Sequence, residues 1–331
     1  MTRHRHIARW IRTGLLLSIG LLLASCAMSA PPPAATPSPA PPPVPPEALI
    51  SAATAEDVRE LARLESTRLD LVEWMPDGRS LVVGGGGTIG IYDSAALTRR
   101  RDWRSSRSLK ELEVAPNGRL VAGTQLDHVV VWSSADGSVV AELDAPHIET
   151  ALAFAPDGAR LIGAGRDQLW EWSTQTWELS RTTVLEPQGP PTGLGFSRDG
   201  ALLAVSFQEC QTQVFNADQV TRLVTLGTRC TNVNGPNRTA FSADATVLAM
   251  ANPWQPVSLW NIGDGSLVRY LGDEAPSMSV LDFAPGGPLL ATASQADQPE
   301  ARLWDSATGV VSATLHASGG PINDLALSPQ G

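Results

Sequence analysis

Few residues of this 331-residue chain are equipped for chemistry, and their spacing scatters them. Beyond residue 25 the histidines are His128, His147 and His316, a poor supply for a zinc ion or a nucleophile–base pair. Neither a G-x-S-x-G elbow nor an H-E-x-x-H pair occurs. Gly85-Gly86-Gly87-Thr88-Ile89-Gly90 has the glycine spacing of a dinucleotide-binding turn. That motif acts only between a strand and a helix, and the residues after it read as strand. No catalytic, cofactor-binding or metal-ligating residue is therefore assigned, and a non-enzyme is expected. What remains are contact groups. Cys210 and Cys230 form one pair, and Trp254 stands between Pro253 and Pro256. Arg99, Arg100, Arg101, Arg104, Arg107 and Lys110 make a basic run.

The elements that must position these groups repeat. Each unit is an apolar run, a Pro-Asp-Gly-type turn, a second apolar run, a polar turn, then an aromatic and a small polar residue. The turns are clearest at Pro76-Asp77-Gly78, Pro116-Asn117-Gly118, Pro156-Asp157-Gly158 and Arg198-Asp199-Gly200, and weaker at Ala243-Asp244-Ala245 and Pro285-Gly286-Gly287. The closing pairs are Tyr92-Asp93, Trp132-Ser133, Trp172-Ser173, Phe215-Asn216, Trp260-Asn261 and Trp304-Asp305, at steps of 40, 40, 43, 45 and 44 residues. In the third unit, alternation and apolar runs predict strands a over 151–154, b over 160–164, c over 168–172 and d over 177–183. The turn glycines suit positions of positive φ, and the aromatics are core residues that one lone sheet could not bury.

An array with this period and punctuation resembles the WD40 repeat family across residues 68–331. The resemblance implies an all-β propeller with six complete blades plus the first strand of a seventh, 322–327. Since strands b and c of that last blade are absent, a truncated seven-bladed ring is expected. Residues 54–64 read either as a latching outer strand or as a short helix. WD40 blades often pair a loop His with a turn Asp. Here His147 and Asp167 come nearest, but Ala164 interrupts the chain between them, so packing must supply rigidity.

In such a blade the b–c turn and the d–a loop leave on one face. Cys210 lies five residues before Phe215, as Asp127 lies before Trp132, which puts it in a b–c turn with Cys230 in the following d–a loop. A structural disulfide is expected in an oxidising compartment, the alternative being two free thiols. Trp254 falls in another b–c turn and is a candidate partner contact. The basic run is either a solvated edge strand or a surface for lipid headgroups or an acidic partner.

The chain begins with an address. Arg3, Arg5, Arg9 and Arg12 precede the short apolar stretch 13–24, a signal peptide rather than a span. It ends in Leu23-Ala24-Ser25-Cys26, which resembles the bacterial lipobox, implying acylation of Cys26. The expected domains are a signal peptide (1–25), a lipidated and Pro-rich linker (26–50) and a propeller (51–331). Ten prolines between positions 31 and 46 would extend ~50 Å as a polyproline helix. Without residues 1–25 the chain carries 20 basic and 34 acidic residues, a net −14, which argues against nucleic acid. The expectation is a membrane-anchored, extracytoplasmic scaffold that binds a protein partner at the cell envelope. The alternative is a ligand-binding module or enzyme that uses the central channel, for which three or more titratable groups should converge there.

Overall fold

Why each unit folds as four short strands is visible at its turns. The computed structural model describes residues 70–329 apart from 126, 149–150, 187–188, 228–237, 253–254, 273–277, 295–299 and 317–321. Blade one is β1 (Leu71–Trp74), β2 (Ser80–Gly85), β3 (Thr88–Asp93) and β4 (Arg99–Arg104). Blade two is β5 (Leu112–Val114), β6 (Leu120–Gln125), β7 (His128–Ser133) and β8 (Val139–Asp144). Blade three follows as β9 (Leu152–Phe154), β10 (Arg160–Ala164), β11 (Gln168–Ser173) and β12 (Leu179–Val184). Blade four has β13 (Pro191–Phe196), β14 (Leu202–Phe207), β15 (Thr212–Asn216) and β16 (Thr221–Leu226). Blade five has β17 (Arg238–Phe241), β18 (Val247–Ala251), β19 (Val257–Asn261) and β20 (Leu267–Leu271). Blade six has β21 (Met278–Phe283), β22 (Leu289–Ser294), β23 (Glu300–Asp305) and β24 (Val310–His316). Every sheet is an antiparallel meander in chain order, and no helix occurs among the described residues.

The a–b turn is closed by its acidic or amide residue. Asp77 Oδ1 accepts the N–H groups of Arg79 (2.8 Å) and Ser80 (3.0 Å). Asn117, Asp157, Asp199 and Asp244 do the same for the residue two positions on. A short side chain that mimics a backbone acceptor is what such a turn selects. The next position takes positive φ: Gly78 60°, Gly118 68°, Gly158 71°, Gly200 74° and, where glycine is missing, Ala245 56°. The small polar residue after each aromatic plays the same part at the c–d turn. Asp93 Oδ1 accepts from Ala95 and Ala96, Asn261 Oδ1 from Gly263 and Asp264, and Asp305 Oδ1 from Ala307 and Thr308.

In all six blades the pairing of strand c with strand d slips by one residue immediately before the closing aromatic, as between Val131 and Trp132 and between Leu303 and Trp304. Such a bulge re-aims the side chain that follows it. From blade two onward the aromatic thereby enters a core shared with the preceding blade. Trp132 packs with Val82, Ile89 and Ile91 of blade one, and Trp172 with Val129, Val131 and Leu143 of blade two. Phe215 packs with Ile162 and Leu169, Trp260 with Ala204 and Val214, and Trp304 with Leu259 and Leu271. Trp132, Trp172, Phe215 and Trp304 are buried, whereas Tyr92 and Trp260 are half-buried. Neighbouring blades also meet at the c–d turn. At Gly137 (φ 73°) a Cβ would lie 2.7 Å from Cβ and Cγ of Trp103 on β4, so blade one presses on bare backbone there.

The innermost strands β1, β5, β9, β13, β17 and β21 neighbour one another in turn, and the d strands form the exposed rim. Two expectations are corrected. Strand d of the third unit starts at Leu179, because Trp177 (φ 61°) belongs to the turn and packs inward. Residues 322–328 are not a seventh-blade strand: they carry no ladder and are held through side chains instead. Asp324 Oδ2 accepts Val72 N–H (2.8 Å), Asp282 Oδ2 accepts Leu327 N–H (2.8 Å), and the Trp74 indole donates to the Ala326 carbonyl (3.1 Å). Leu325 and Leu327 pack on Ala284, Leu289 and Leu303 of blade six. The segment thus bridges blades six and one. Residues 54–64, with their strand-or-helix alternative, lie outside the described residues.

Candidate functional site

The a strands carry a pattern that loop positions do not. The residue before the last of each a strand is Glu73, Glu113, Ala153, Gly195, Ala240 and Asp282 in blades one to six. Three acids therefore enter the channel from blades one, two and six, beside the bridging segment, which adds Asp324. Two positions earlier, Glu111 and Arg238 form an ion pair at 3.6 Å. Small residues opposite leave a cavity of about 370 Å³ lined by Glu73, Glu113, Gly195, Ala240 and Asp282.

Burial decides the protonation of this group. Removal from water pushes the Glu73 carboxyl from 4.5 to about 8, with Asp282, Asp324 and Glu111 adding their charges. Glu113 rises well above the usual carboxylate range through burial and then through Glu73, Glu111 and Asp324. Burial lifts Glu111 to about 7 against the opposing pull of Arg238. Asp282 reaches about 6, since burial outweighs the N–H groups of Leu327 and Phe283. Asp324 is raised by burial despite the N–H groups of Val72 and Leu325. At neutral pH Glu73 holds its proton, so the channel is less anionic than its sequence. Five acids beside Arg238, with Arg198 also on the cavity wall, can donate and accept protons, and can meet a cationic group. Among the described residues no group of three or more His, Cys, Asp or Glu is placed to hold a metal ion.

The channel acids are the residues that sequence reasoning missed. That reasoning looked for convergence at loops, whereas the convergence lies on the inner strands. The signal was a charged residue inside an otherwise apolar run: Glu73 in Leu-Val-Glu-Trp, Glu113 in Leu-Glu-Val, and Asp282 in Val-Leu-Asp-Phe.

The basic run divides. Arg99 pairs with Asp102 (3.4 Å) and Arg100 with Asp93 (2.6 Å), while Arg101 donates to the Ser134 carbonyl of blade two (2.8 Å). Arg104, Arg107 and Lys110 make no ion pair among the described residues. The side-chain relay from His147 to Asp167 is the one that Ala164 is expected to break, and another tie is present here. Asp127 Oδ1 instead accepts the backbone N–H of His147 (2.6 Å), tying the b–c turn of blade two to its own d–a loop. Cys210, at positive φ like Asp127 (62° and 64°), is buried and disulfide-bonded. Cys230, Trp254 and Cys26 lie outside the described residues.

No family model matches the chain. A stretch of 144 residues is 30% identical to an uncharacterised WD repeat-containing protein of Synechocystis sp.. Together with six four-stranded blades sharing cores, that likeness decides the architecture. The chain is a WD40-like β-propeller. The aligned stretch covers 44% of this chain and 40% of the relative, so the chain spans well under half of that protein's length. The WD40-like propeller presents three distinct surfaces: the acid-lined channel, the loop face and the rim.

Proposed function

We propose that this propeller is a non-enzymatic interaction scaffold of the cell envelope, anchored through Cys26 and held off the membrane by its proline-rich linker. The observation that carries the scaffold reading is the distribution of exposed apolar side chains. Among the described residues Val139, Val140, Leu179, Val184, Leu223, Leu267, Val268, Tyr270, Val310 and Val311 are the exposed large hydrophobics, and all lie on strands d. Val184 is 81% exposed and Val310 61%. Only blade one departs, with an arginine-rich β4. Unpaired strand edges bearing apolar side chains suit strand-on-edge or apolar docking of a protein partner. In this reading residues 322–328 stand where a seventh blade would begin, supported by their hydrogen bonds to blades one and six.

Photo-crosslinking in solubilised envelope tests the proposal, with the cross-linker placed at Val184, Tyr270 or Val310 and, as a control, at Asp157. Discrete adducts from the rim positions and none from Asp157 are expected. Adducts from all sites alike, or from none, refute it. Release of the protein from membranes by Cys26→Ser tests the anchor.

The converging channel acids favour a second reading, a ligand-binding module for a small organic cation. A thermal-shift series with alkylammonium and guanidinium compounds at neutral pH would then show stabilisation that Asp282→Asn removes. No stabilisation of the native chain refutes it.

A further inference from the structure

The glycine run that has no place in a dinucleotide fold acquires one here. Gly86 and Gly87, at φ 58° and 79°, make the two-residue b–c turn between β2 and β3. They face the d–a loop of the same blade across a cavity of about 430 Å³ lined by residues 86–88 and 104–108. A Cβ on Gly87 would meet nothing nearer than the Ser105 carbonyl at 3.9 Å, so the turn leaves that volume open.

The loop opposite is fixed from behind. Ser105 N–H donates to the Gly87 carbonyl (3.0 Å). The buried Gln125 of blade two donates to Ser105 Oγ (2.8 Å) and accepts from Ser106 Oγ (2.9 Å). One buried amide thus holds both serines. By contrast, the guanidiniums of Arg104 and Arg107 and the hydroxyls of Thr88 and Ser108 have no side-chain partner among the described residues. The lining contains no acid, on a chain of net charge −10. Arg99, Arg100 and Arg101 of the same run are all engaged. Two free guanidiniums and two hydroxyls around an acid-free recess match a tetrahedral oxyanion.

We propose that this recess binds a phosphate group, either a free phosphate or the phosphodiester of a lipid headgroup. The test uses the chain from residue 26 with Cys26→Ser, so that neither the basic and apolar stretch 1–25 nor an acyl chain can carry it to lipid. Inorganic phosphate is titrated calorimetrically, and co-sedimentation is measured with vesicles of phosphatidylglycerol in phosphatidylcholine and of phosphatidylcholine alone. Saturable binding is expected, weakened at least about tenfold by Arg104→Gln with Arg107→Gln and unchanged by Lys110→Gln. Both variants change exposed side chains, and near-ultraviolet circular dichroism verifies their fold. Phosphate binding without vesicle binding assigns a soluble phosphate; vesicle binding that phosphate displaces assigns a headgroup. Absence of saturable binding to either probe overturns the proposal, as does an equal loss with Lys110→Gln, which would mean diffuse charge rather than a recess.

Discussion

Glu73→Gln should reduce the loss of stability that the native protein shows between pH 5 and pH 9. Glu73 is raised from 4.5 to about 8, first by burial and then by Asp282, Asp324 and Glu111. A raised carboxyl binds its proton more tightly folded than unfolded. Its folded form is therefore unpenalised below 4.5 and loses stability as pH climbs through about 8. That displacement corresponds to on the order of 5 kcal/mol for Glu73 alone. Glu111 (about 7) and Asp282 (about 6) titrate in the same window, and Glu113 rises with them. Burial is the first cause for each and repulsion among them adds to it, so Glu111 and Asp282 keep losses of their own, although the repulsive part is shared and the losses do not simply add. Among the described residues two cations face them: Arg238, which pulls chiefly on Glu111 and also on Asp324, and Arg198 on the cavity wall. Asp93, Asp199 and Asp244 are shifted the other way, and their contribution is lost only as pH falls below the ordinary aspartate range. Urea unfolding followed by tryptophan fluorescence at pH 5, 7 and 9 measures the effect. The native protein should weaken steadily, and Glu73→Gln should weaken less steeply, Glu111 and Asp282 still titrating. A native profile that is flat or rising over this range, or the same slope in both proteins, refutes the reasoning.

Gly137→Ala should destabilise by about 2–3 kcal/mol, since it combines positive φ with contact against Trp103, whereas Gly158→Ala, open to solvent, should cost only about 1 kcal/mol; thermal melts of the two compare the costs. Trp172→Ala should cost about 3–5 kcal/mol in urea unfolding, because it empties the core between blades two and three. Non-reducing peptide mapping should recover Cys210 joined to Cys230, and reduction should lower stability by about 3 kcal/mol for a loop of about 20 residues; recovery of both as free thiols refutes the pairing.

The blades themselves were legible in the sequence. Short-range chemistry makes them, and short-range chemistry is written locally. An Asp or Asn three residues before a strand closes its turn, a glycine takes positive φ, and an aromatic followed by Asp, Asn or Ser ends strand c. These features recur every 40 to 45 residues whatever lies around them. Trp177 misled because its own turn conformation is set by packing rather than by a turn-forming residue. What the sequence could not disclose was what meets across the ring. Glu73, Glu113, Asp282 and Asp324 are separated by up to 251 positions, yet one cavity and one bridging segment bring them together. The division of the basic run is of the same kind. Arg101 is spent on a carbonyl of the next blade while Arg104 and Arg107 border an open recess, and only the stacking of blades determines which charge finds a partner. Periodicity fixes the units because hydrogen bonding within a meander is local. Protonation and binding depend on which units face one another, and that is decided only when the sheets pack.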